Sequence, residues 1–476
     1  MMQFDIFYTT LIGVHIILGT ICASHALLYK RDSVAALGWI AVIIGYPLLG
    51  PILYFLFGIN RTSRQARKQR GLPPHEQTDG AQILAAKDAL NISPNIIAWF
   101  INLSRLAYSL SERPLTNSNQ IVPLVNGDEA FPAMLQAIQQ AKDYIFLTTY
   151  IFETNATGRE FIAALGEAKQ RNVNVKVIID GIGEWYSWPH ASQLLKKHNI
   201  DVVLFHPPKL WSIAINLRNH RKMLIVDGHT VFTGGMNIGG RHLTKNAKKL
   251  HRDIQFQFTG TIVQQCVQIF REDWYYITQQ SFELLSLEHK KTTGTALCRA
   301  IEDGPNEYLG KLCTLLVNAV SIAQESIWIM TPYFLPSNEL TNALQAAALR
   351  GIKVNIILPR KNNLPYVKWA SEHIFWRLTN YGVNLYYQSP PFTHTKLFVI
   401  DEYYTFIGSP NLDPRSLRLN FEMGIEIYDK DFAQKMARHC QTSLATSTII
   451  TQQDLEHKNL LKKLRNGICW LFTPYL

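Results

Sequence analysis

The sequence predicts an α/β protein of two similar halves with mixed, largely parallel sheets that face a shared site, preceded by a two-helix transmembrane hairpin. Three observations lead to this prediction. Two long uncharged segments occupy the first sixty residues, an alternation of helices and apolar strands occurs twice in the remainder, and one polar motif appears in each copy. The chain of 476 residues is long enough for more than one domain.

The two uncharged segments, residues 6–29 and 34–59, are each long enough to cross a bilayer as a helix. A cleaved signal peptide is an alternative for the first segment, but the basic residues that begin such a peptide are missing. A buried pair of soluble helices would show a polar stripe, which neither segment has. We therefore predict a hairpin over residues 1–60, with Pro47 and Pro51 kinking its second helix.

The charges that flank the hairpin predict its orientation. Lys30 and Arg31 lie in the connection, whereas five basic residues follow the second segment between positions 61 and 70. By the positive-inside rule, the termini and the rest of the chain face the cytoplasm, as in a multi-pass protein of the bacterial inner membrane. Residues 61–118 are interpreted as a basic juxtamembrane connector that also attracts anionic headgroups.

The composition limits the partners. A net charge of +11 indicates an anionic partner, which could be nucleic acid, a phosphorylated metabolite or an acidic lipid surface. The six cysteines form no CxxC pair, and none lies near a second cysteine or histidine at zinc-like spacing. We therefore expect free thiols and no metal site.

An internal repeat organises the rest of the chain. Residues 131–180 align with residues 308–358, because in each copy a helix, an apolar strand, a second helix and a second strand follow one another. This alternation indicates an α/β domain with a largely parallel sheet, present twice. We predict a first half over residues 119–290 and a second half over 291–476 that ends in a basic, amphipathic tail.

A polar motif occurs once in each half, at matching places in the repeat. A histidine is followed by a lysine two residues on, by an aspartate, and then by a Gly-[Gly/Ser]-x-Asn step. The residues are His220, Lys222, Asp227, Gly235 and Asn237 in the first copy, and His394, Lys396, Asp401, Ser409 and Asn411 in the second. Side chains two apart on a strand share one face, so each histidine projects together with its lysine.

These residue types suit phosphoryl-group transfer through a covalent phosphohistidine, without a metal or other cofactor. Histidine can act as nucleophile or as general acid and base. Lysine and asparagine supply charge and hydrogen bonds to phosphoryl oxygens, and the small Gly235 and Ser409 let the anion approach the backbone. Asp227 and Asp401 complete the two motifs and are grouped with the catalytic residues, but a turn-forming or ion-paired structural role is favoured over direct catalysis for both.

The duplicated motif resembles that of the phospholipase D superfamily, and the resemblance covers the chain from about residue 119 to its end. Within the superfamily, the stretch 409–422 is similar to that of cardiolipin synthases. The membrane hairpin and the basic tail also fit this group. His251 departs from it, because a tryptophan is expected at this position before Arg252 and Asp253.

The resemblance implies transfer of a phosphatidyl group from one phosphatidylglycerol to another, which gives cardiolipin and glycerol. It implies that one histidine is the nucleophile and the other the acid and base. We assign these roles to His220 and His394, although the similarity of the halves leaves the reverse open. Asp253 and Glu422 are implied to orient the imidazoles across the halves, Glu422 with His220 and Asp253 with His394. The implied partners are an anionic phospholipid and the bilayer, with no nucleic acid; the oligomeric state is not predicted.

Other interpretations remain at this stage. A phospholipase that uses water as the acceptor, a transferase similar to phosphatidylserine synthases and a nuclease of the same superfamily are rival functions, and a non-catalytic scaffold is a fourth. The nuclease leaves the membrane segments unexplained. Two apolar stretches near the first motif, 185–188 and 210–217, are candidates for contact with lipid, with ordinary core packing as the alternative.

Overall fold

The computed structural model describes residues 2–30, 33–58, 94–207, 217–245, 250–282, 294–304 and 310–473. The chain divides into two compact units, Met1–Gln69 and Arg70–Leu476. The six cysteines are free, as predicted.

The N-terminal unit is built on one long apolar helix. Helix α1 (Met2–Tyr29) is followed by α2 (Ser33–Gly45) and by the short α3 (Leu49–Leu53), which continues into a π-helical turn at Tyr54–Gly58. Among the described residues, Tyr8–Tyr29 is the one helical segment long and apolar enough to cross a membrane.

The second predicted spanning segment, over residues 34–59, is interrupted where only a kink was predicted. Helix α2 ends at Gly45, and its 13 residues cover only about 20 Å of the roughly 30 Å of hydrocarbon. Leu48 adopts a φ of 60°, and a Cβ on Gly50 would lie 2.3 Å from a carbonyl oxygen of α2. Pro47 explains the break, because proline lacks an amide hydrogen and disfavours the helical conformation before it.

The larger unit alternates helices and strands throughout. Its helices are α4 (Pro94–Ser111), α5 (Asn126–Gln140), α6 (Ala156–Gln170), α7 (Ala191–Lys197), α8 (Ile262–Thr278), α9 (Lys311–Ile322), α10 (Asn338–Leu349), α11 (Pro365–Ile374), α12 (Trp376–Thr379), α13 (Pro414–Arg418), α14 (Lys430–Leu444), α15 (Gln452–Glu456) and α16 (Leu460–Leu471). Its strands are β1 (Thr116–Val125), β2 (Tyr144–Thr149), β3 (Asn174–Asp180), β4 (Asp201–Phe205), β5 (Arg218–Asn219), β6 (Met223–Val226), β7 (Thr230–Gly234), β8 (His251–Arg252), β9 (Ile254–Thr259), β10 (Ala296–Asp303), β11 (Ser326–Met330), β12 (Lys353–Pro359), β13 (Asn384–Gln388), β14 (Phe392–Thr393), β15 (Leu397–Ile400), β16 (Tyr404–Gly408), β17 (Asn420–Tyr428) and β18 (Ser447–Ile449).

Within the described residues, sixteen strands form one continuous sheet that contains both halves. Its order is β18-β13-β12-β11-β15-β16-β17-β10-β1-β9-β7-β6-β2-β3-β4, and β5 pairs with β17. The halves meet where the start of β1 pairs antiparallel with the start of β10. Outward from this junction the strands of the two halves correspond one to one, from β1 and β10 to β4 and β13, so the predicted repeat is confirmed.

The sheet is mixed, as predicted, but antiparallel neighbours outnumber parallel ones. Parallel pairing joins β2, β3 and β4 in the first half and β11, β12 and β13 in the second. The motif strands instead form antiparallel hairpins, β6 with β7 and β15 with β16. Two consecutive residues with positive φ begin each turn, Asp227 with Gly228 and Asp401 with Glu402, and such turns match the twist of antiparallel strands. The expectation of a largely parallel sheet omitted these hairpins.

Helices cover both faces of the sheet in each half. In the first half α5, α6 and α7 pack on one face and α8 on the other, while in the second α14 packs opposite α9, α10 and α11. One hydrophobic cluster, which includes Phe146 of the first half and Trp328 of the second, joins the two halves. Helix α4, predicted to lie in the connector 61–118, contributes Phe100 to the core of the second half. Part of that connector therefore belongs to the larger unit.

Candidate active site

The two motif histidines lie where backbone from both halves converges. His220 follows β5, which pairs in parallel with β17 of the second half, and His394 follows β14, which pairs in parallel with β8 of the first. The amide of His220 donates to the carbonyl oxygen of Phe421 at 2.9 Å, and the amide of His394 to that of Arg252 at 2.7 Å. Each histidine is therefore fixed by the opposite half.

Each imidazole also contacts a buried carboxylate of the opposite half. Nδ1 of His220 lies 3.0 Å from Oε2 of Glu422, and Nδ1 of His394 lies 3.0 Å from Oδ2 of Asp253. A carboxylate accepts a hydrogen bond, so this geometry favours the tautomer with its hydrogen on Nδ1 and leaves the lone pair of Nε2 for chemistry. These are the two crossed pairs implied by the resemblance.

The two carboxylates are supported differently. Glu422 also accepts from Oγ of Ser409 at 2.5 Å and from Nδ2 of Asn420 at 3.1 Å. Asp253 accepts from the next backbone amide, and a Cβ on Gly235 would lie 2.5 Å from its Oδ2. Ser409 and Gly235, predicted to bind phosphate, thus lie against the carboxylate of their own half.

Both motif lysines are buried beside their histidines. Nζ of Lys222 donates to the carbonyl oxygen of His220 at 2.5 Å, and Nζ of Lys396 donates to that of His394 at 2.8 Å. Burial lowers the pKa of Lys222 to about 7 and the pKa of Lys396 to about 8. Two ammonium groups that lack water around them create a strong preference for an anion in this pocket.

The electrostatic environment keeps both imidazoles neutral near pH 7. Burial lowers the pKa of His220 to about 4, although the carboxylate of Glu422 acts in the opposite direction. Burial, together with the charge of Lys396, lowers the pKa of His394 well below its ordinary value. Lys222 and His220 also lower the pKa of His394, so the motif groups of both halves share one pocket. Near pH 7 the arrangement therefore provides two neutral imidazoles and two partly protonated lysines around one anion-binding position.

The two motif asparagines each have one end of the side-chain amide engaged. Oδ1 of Asn237 accepts from the amide of Ile151 at 3.0 Å, and within the described part of the chain its Nδ2 has no acceptor. Nδ2 of Asn411 donates to Oγ of Ser416 at 3.2 Å, and its buried Oδ1 has no partner among the described residues. A flip of this amide would turn the Asn411 acceptor into a donor. Each asparagine therefore has one polar atom left for a ligand.

The structure does not bring Asp227 and Asp401 to this pocket. The four residues of β6 or β15, at about 3.3 Å each, separate each aspartate from its motif lysine. The carboxylate of Asp227 accepts from the amides of residues 142–144 at 2.9 Å each, and that of Asp401 from the amides of residues 324–326 at 2.7–2.9 Å. These amides lead into β2 and β11, so the aspartates fasten each motif hairpin to the neighbouring strand. These contacts favour the structural role of both aspartates over direct catalysis.

Two residues of the site were missed by sequence reasoning. The ring of Tyr150 meets the ring of His220 edge to face with centroids 5.2 Å apart, and Nζ of Lys222 lies 5.6 Å from the centre of the Tyr150 ring. Arg221, the variable residue inside the first motif, is buried, donates to the carbonyl oxygen of Glu422 at 3.1 Å and pairs with Asp273. The place of Tyr150 after β2 was a usable signal, because sites form at the carboxyl ends of parallel strands. Nothing in the sequence marks Arg221.

Of the two stretches considered for lipid contact, the structure describes 185–188 in full and only one residue of 210–217. Trp185, Tyr186 and Trp188 are exposed, so ordinary core packing does not account for the stretch 185–188. In the stretch 210–217 only Leu217 is described, and it is buried. Residues 210–216 lie outside the described residues.

Comparison with known proteins relates the chain to cardiolipin synthases. A family model described as "Cardiolipin synthase, PLD-like domain" matches residues 134–274 and 316–443, and one described as "Phospholipase_D-nuclease N-terminal" matches residues 17–58. The chain is 30% identical over 472 residues to cardiolipin synthase A of Pseudomonas fluorescens, with 96% of each chain covered. It is 29% identical over 458 residues to a cardiolipin synthase of Geobacillus kaustophilus, covering 94% of this chain and 90% of the relative. Phosphatidylserine synthase of Haemophilus influenzae shares the fold at 17% identity, with a TM-score of 0.60 over 79% of this chain and 100% of that one.

Proposed function

Because the chain belongs to the cardiolipin synthase family of phospholipase D-like proteins, as its motifs predicted, we propose that it converts two molecules of phosphatidylglycerol into cardiolipin and glycerol. The observation that carries this proposal is the crossed pairing of both imidazoles with carboxylates of the opposite half. That pairing leaves Nε2 of two histidines available in one pocket, as a two-step transfer through a covalent intermediate requires.

In the first step, Nε2 of His220 attacks the phosphorus of one phosphatidylglycerol. The bond from phosphorus to the headgroup glycerol oxygen breaks, and His394 donates a proton from Nε2 to that oxygen. Glycerol leaves, and the phosphatidyl group stays on His220. Lys222 and Lys396 balance the charge on the non-bridging oxygens. The negative charge of the phosphodiester raises the pKa of His394, against the effect of burial, so that this group can carry the proton.

In the second step, a headgroup hydroxyl of another phosphatidylglycerol loses its proton to Nε2 of His394. The oxygen attacks the phosphorus, and the bond between phosphorus and Nε2 of His220 breaks. The products are cardiolipin and neutral His220, while His394 again carries the proton needed for the next first step. Each histidine thus returns to its starting protonation state.

The contacts of the two rings support His220 as the nucleophile. Nζ of Lys396 lies 3.1 Å from both ring nitrogens of His394, and a hydrogen bond from it to Nε2 reduces the availability of that lone pair. Within the described residues, Nε2 of His220 has no hydrogen-bond partner. Burial raises the pKa of Glu422, but the contacts with His220 and Lys222 outweigh it and lower the pKa overall. An ionised Glu422 can stabilise the positive charge that forms on His220 during attack.

A substrate with a good leaving group shows which histidine is the nucleophile and which is the general acid. With phosphatidyl-p-nitrophenol, the first step does not need an acid, so His394→Ala should release a burst of one nitrophenolate per enzyme and then stop. His220→Ala should give no burst, and His229→Ala, in the turn between β6 and β7, should turn over like the wild type. The opposite assignment of the burst would reverse the two roles.

A product assay tests the proposed activity itself. Wild-type enzyme in detergent with labelled phosphatidylglycerol should yield cardiolipin and free glycerol, and both histidine variants should yield neither. Accumulation of phosphatidate would identify water as the acceptor and the enzyme as a phospholipase.

The location that we propose is the bacterial inner membrane, in multi-pass form with the pocket on the cytoplasmic side. The apolar segment Tyr8–Tyr29 and the lipid substrate support anchoring. The side rests on the charges around the N-terminal segments, where basic residues concentrate after residue 60. A tag at the C-terminus should be protected from protease in spheroplasts; accessibility from the periplasmic side would refute this orientation.

A further inference from the structure

Three large aromatic side chains project into solvent from the loop 183–188, which follows β3. The side chains of Trp185, Tyr186 and Trp188 are 70%, 54% and 79% exposed. Aromatic side chains of this size normally contribute to stability through burial of their rings. Their common exposure on one short loop therefore calls for a ligand or surface that covers them.

Hydrogen bonds with three polar side chains hold the backbone of the loop in place. Oδ1 of Asp180 accepts from the amides of residues 182 and 183 at 2.9 and 3.1 Å. The buried side chain of Glu184 accepts from the amide of Ser192 at 3.1 Å and from its hydroxyl at 2.5 Å. Nδ1 of His190 lies within 3.1 Å of two carbonyl oxygens of the loop. The rings are thus displayed by a supported loop, because buried polar contacts fix the backbone beneath them.

The same loop borders the pocket. A Cβ on Gly183 would lie 1.5 Å from the carbonyl oxygen of Tyr150, so only glycine fits there. The ring of Tyr150 has its centroid 5.2 Å from that of His220 and 6.3 Å from that of Tyr186. One aromatic ring therefore separates the exposed loop from the proposed nucleophile.

A basic loop of the second half approaches the same place. It follows β12, the strand that corresponds to β3, and exposes Arg360 and Lys361. Tyr333 donates to Oδ1 of Asn363 in this loop at 2.8 Å. Burial raises the pKa of Tyr333, and Tyr186 acts in the same direction, so both loops lie near this ring. The exposed aromatic rings and the exposed cations thus lie on two loops that both come near Tyr333.

We propose that Trp185, Tyr186 and Trp188 form a membrane-docking loop whose rings enter the headgroup region of an anionic bilayer and bring the pocket to its lipid. Indole and phenol rings prefer that region because it accommodates both an apolar ring and a polar group. Arg360 and Lys361 complement the negative charge of the same surface. This inference rests on the proposed function in that the substrate is a phospholipid drawn from the bilayer.

If the loop docks on the membrane, substitutions in it should change the kinetics only when the substrate lies in a bilayer. Full-length enzyme in phosphatidylcholine vesicles is given either long-chain phosphatidylglycerol in the same bilayer or short-chain phosphatidylglycerol dissolved as monomers. The double variant Trp185→Ser/Trp188→Ser should raise KM for the bilayer substrate by roughly tenfold or more, since two rings no longer bury apolar surface in lipid. Its kcat/KM for the monomeric substrate should equal that of the wild type.

The matched control is Trp376→Ser. Trp376 is likewise exposed, at 52%, but it follows α11, whose ten residues carry the chain about 15 Å from the basic loop. This variant should leave KM for both substrates unchanged. An equal effect of the Trp185→Ser/Trp188→Ser variant on both substrates would place the rings in the pocket and overturn the docking inference.

A physical measurement decides docking independently of turnover. Tryptophan fluorescence of the reconstituted wild type is compared with that of Trp185→Phe/Trp188→Phe in vesicles of phosphatidylglycerol with and without brominated acyl chains. The emission of Trp185 and Trp188, obtained as the difference in fluorescence between the two proteins, should be quenched by the bromine. Absence of such quenching would refute docking even if cardiolipin is made. Quenching in an enzyme that makes no cardiolipin would instead refute the proposed function and support the docking loop.

Discussion

Replacing Asp401 by asparagine tests whether the motif aspartates are structural. Asp401 has a φ of 51°, a left-handed conformation that asparagine tolerates well, so the substitution alters the carboxylate without straining the backbone. Oδ1 accepts from the amides of residues 325 and 326 at 2.7 and 2.9 Å, and Oδ2 accepts from the amide of residue 324 at 2.8 Å.

The expected loss of stability follows from these three hydrogen bonds. Asparagine retains one oxygen and two of the bonds but sets an N–H group against the third amide. A hydrogen bond contributes about 1.5–3 kcal/mol to a charged acceptor and about 0.5–1.5 kcal/mol to a neutral one. Losing one bond and weakening two therefore costs about 3–5 kcal/mol. The matching change Asp227→Asn should cost less, about 1–2 kcal/mol, because two of its three bonds are exposed to water.

Thermal unfolding in detergent, followed by tryptophan fluorescence, measures the effect. Asp401→Asn should lower the midpoint by about 4–6 °C and Asp227→Asn by less, while both variants keep wild-type kcat at temperatures where they are folded. Asp431→Asn, at an exposed position in the first turn of α14, is the control and should leave the midpoint unchanged. A loss of turnover with an unchanged midpoint would refute the structural role and return both aspartates to the chemistry.

Three further predictions concern the pocket. Glu422→Gln should lower kcat by about 10³–10⁴-fold, because an amide can donate to Nδ1 of His220 and favour the tautomer that blocks Nε2; an unchanged kcat in the product assay would contradict the tautomer argument. Gly235→Ala should lower kcat roughly tenfold with little change in KM, since its Cβ, 2.5 Å from Oδ2 of Asp253, pushes that carboxylate away from His394; wild-type kcat would show that the carboxylate adjusts freely. Because burial lowers the pKa values of the two pocket lysines to about 7 and about 8, they are charged at low pH and lose their protons through this window, so KM for phosphatidylglycerol should rise as pH increases. A KM that does not change across this window would exclude phosphate binding by these ammonium groups.

The sequence predicted those parts of the pocket in which spacing along the chain determines where a side chain lies. The expected strand spacing predicted that His220 and Lys222 lie together, and the repeat predicted the same for His394 and Lys396, although the structure places these residues just before β6 and β15. The structure brings all four together. Asp227 follows the same strand, but its distance from the lysine places it at the other end, which a count of residues along an extended strand would have indicated.

Features that depend on packing between distant segments were not predictable in this way. Nothing in the local sequence shows that Ser409 would hold Glu422, or that Arg221 would reach Asp273. The packing of α4 in the core of the second half joins residues nearly two hundred positions apart, as between Arg299 and Ser104. The break after α2 is partly predictable from the sequence, because Pro47 predicts a kink, whereas in the structure the helix ends just before it.

The crossed pairing of histidines and carboxylates has a consequence for biosynthesis. His220 is translated 202 residues before Glu422, and Asp253 is translated 141 residues before His394. A nascent chain that has completed only its first half therefore carries a histidine without its acid and an acid without its histidine. Lipid beside the ribosome meets no competent centre until the strand that carries Glu422 has emerged and folded, so activity itself reports that both halves have been synthesised.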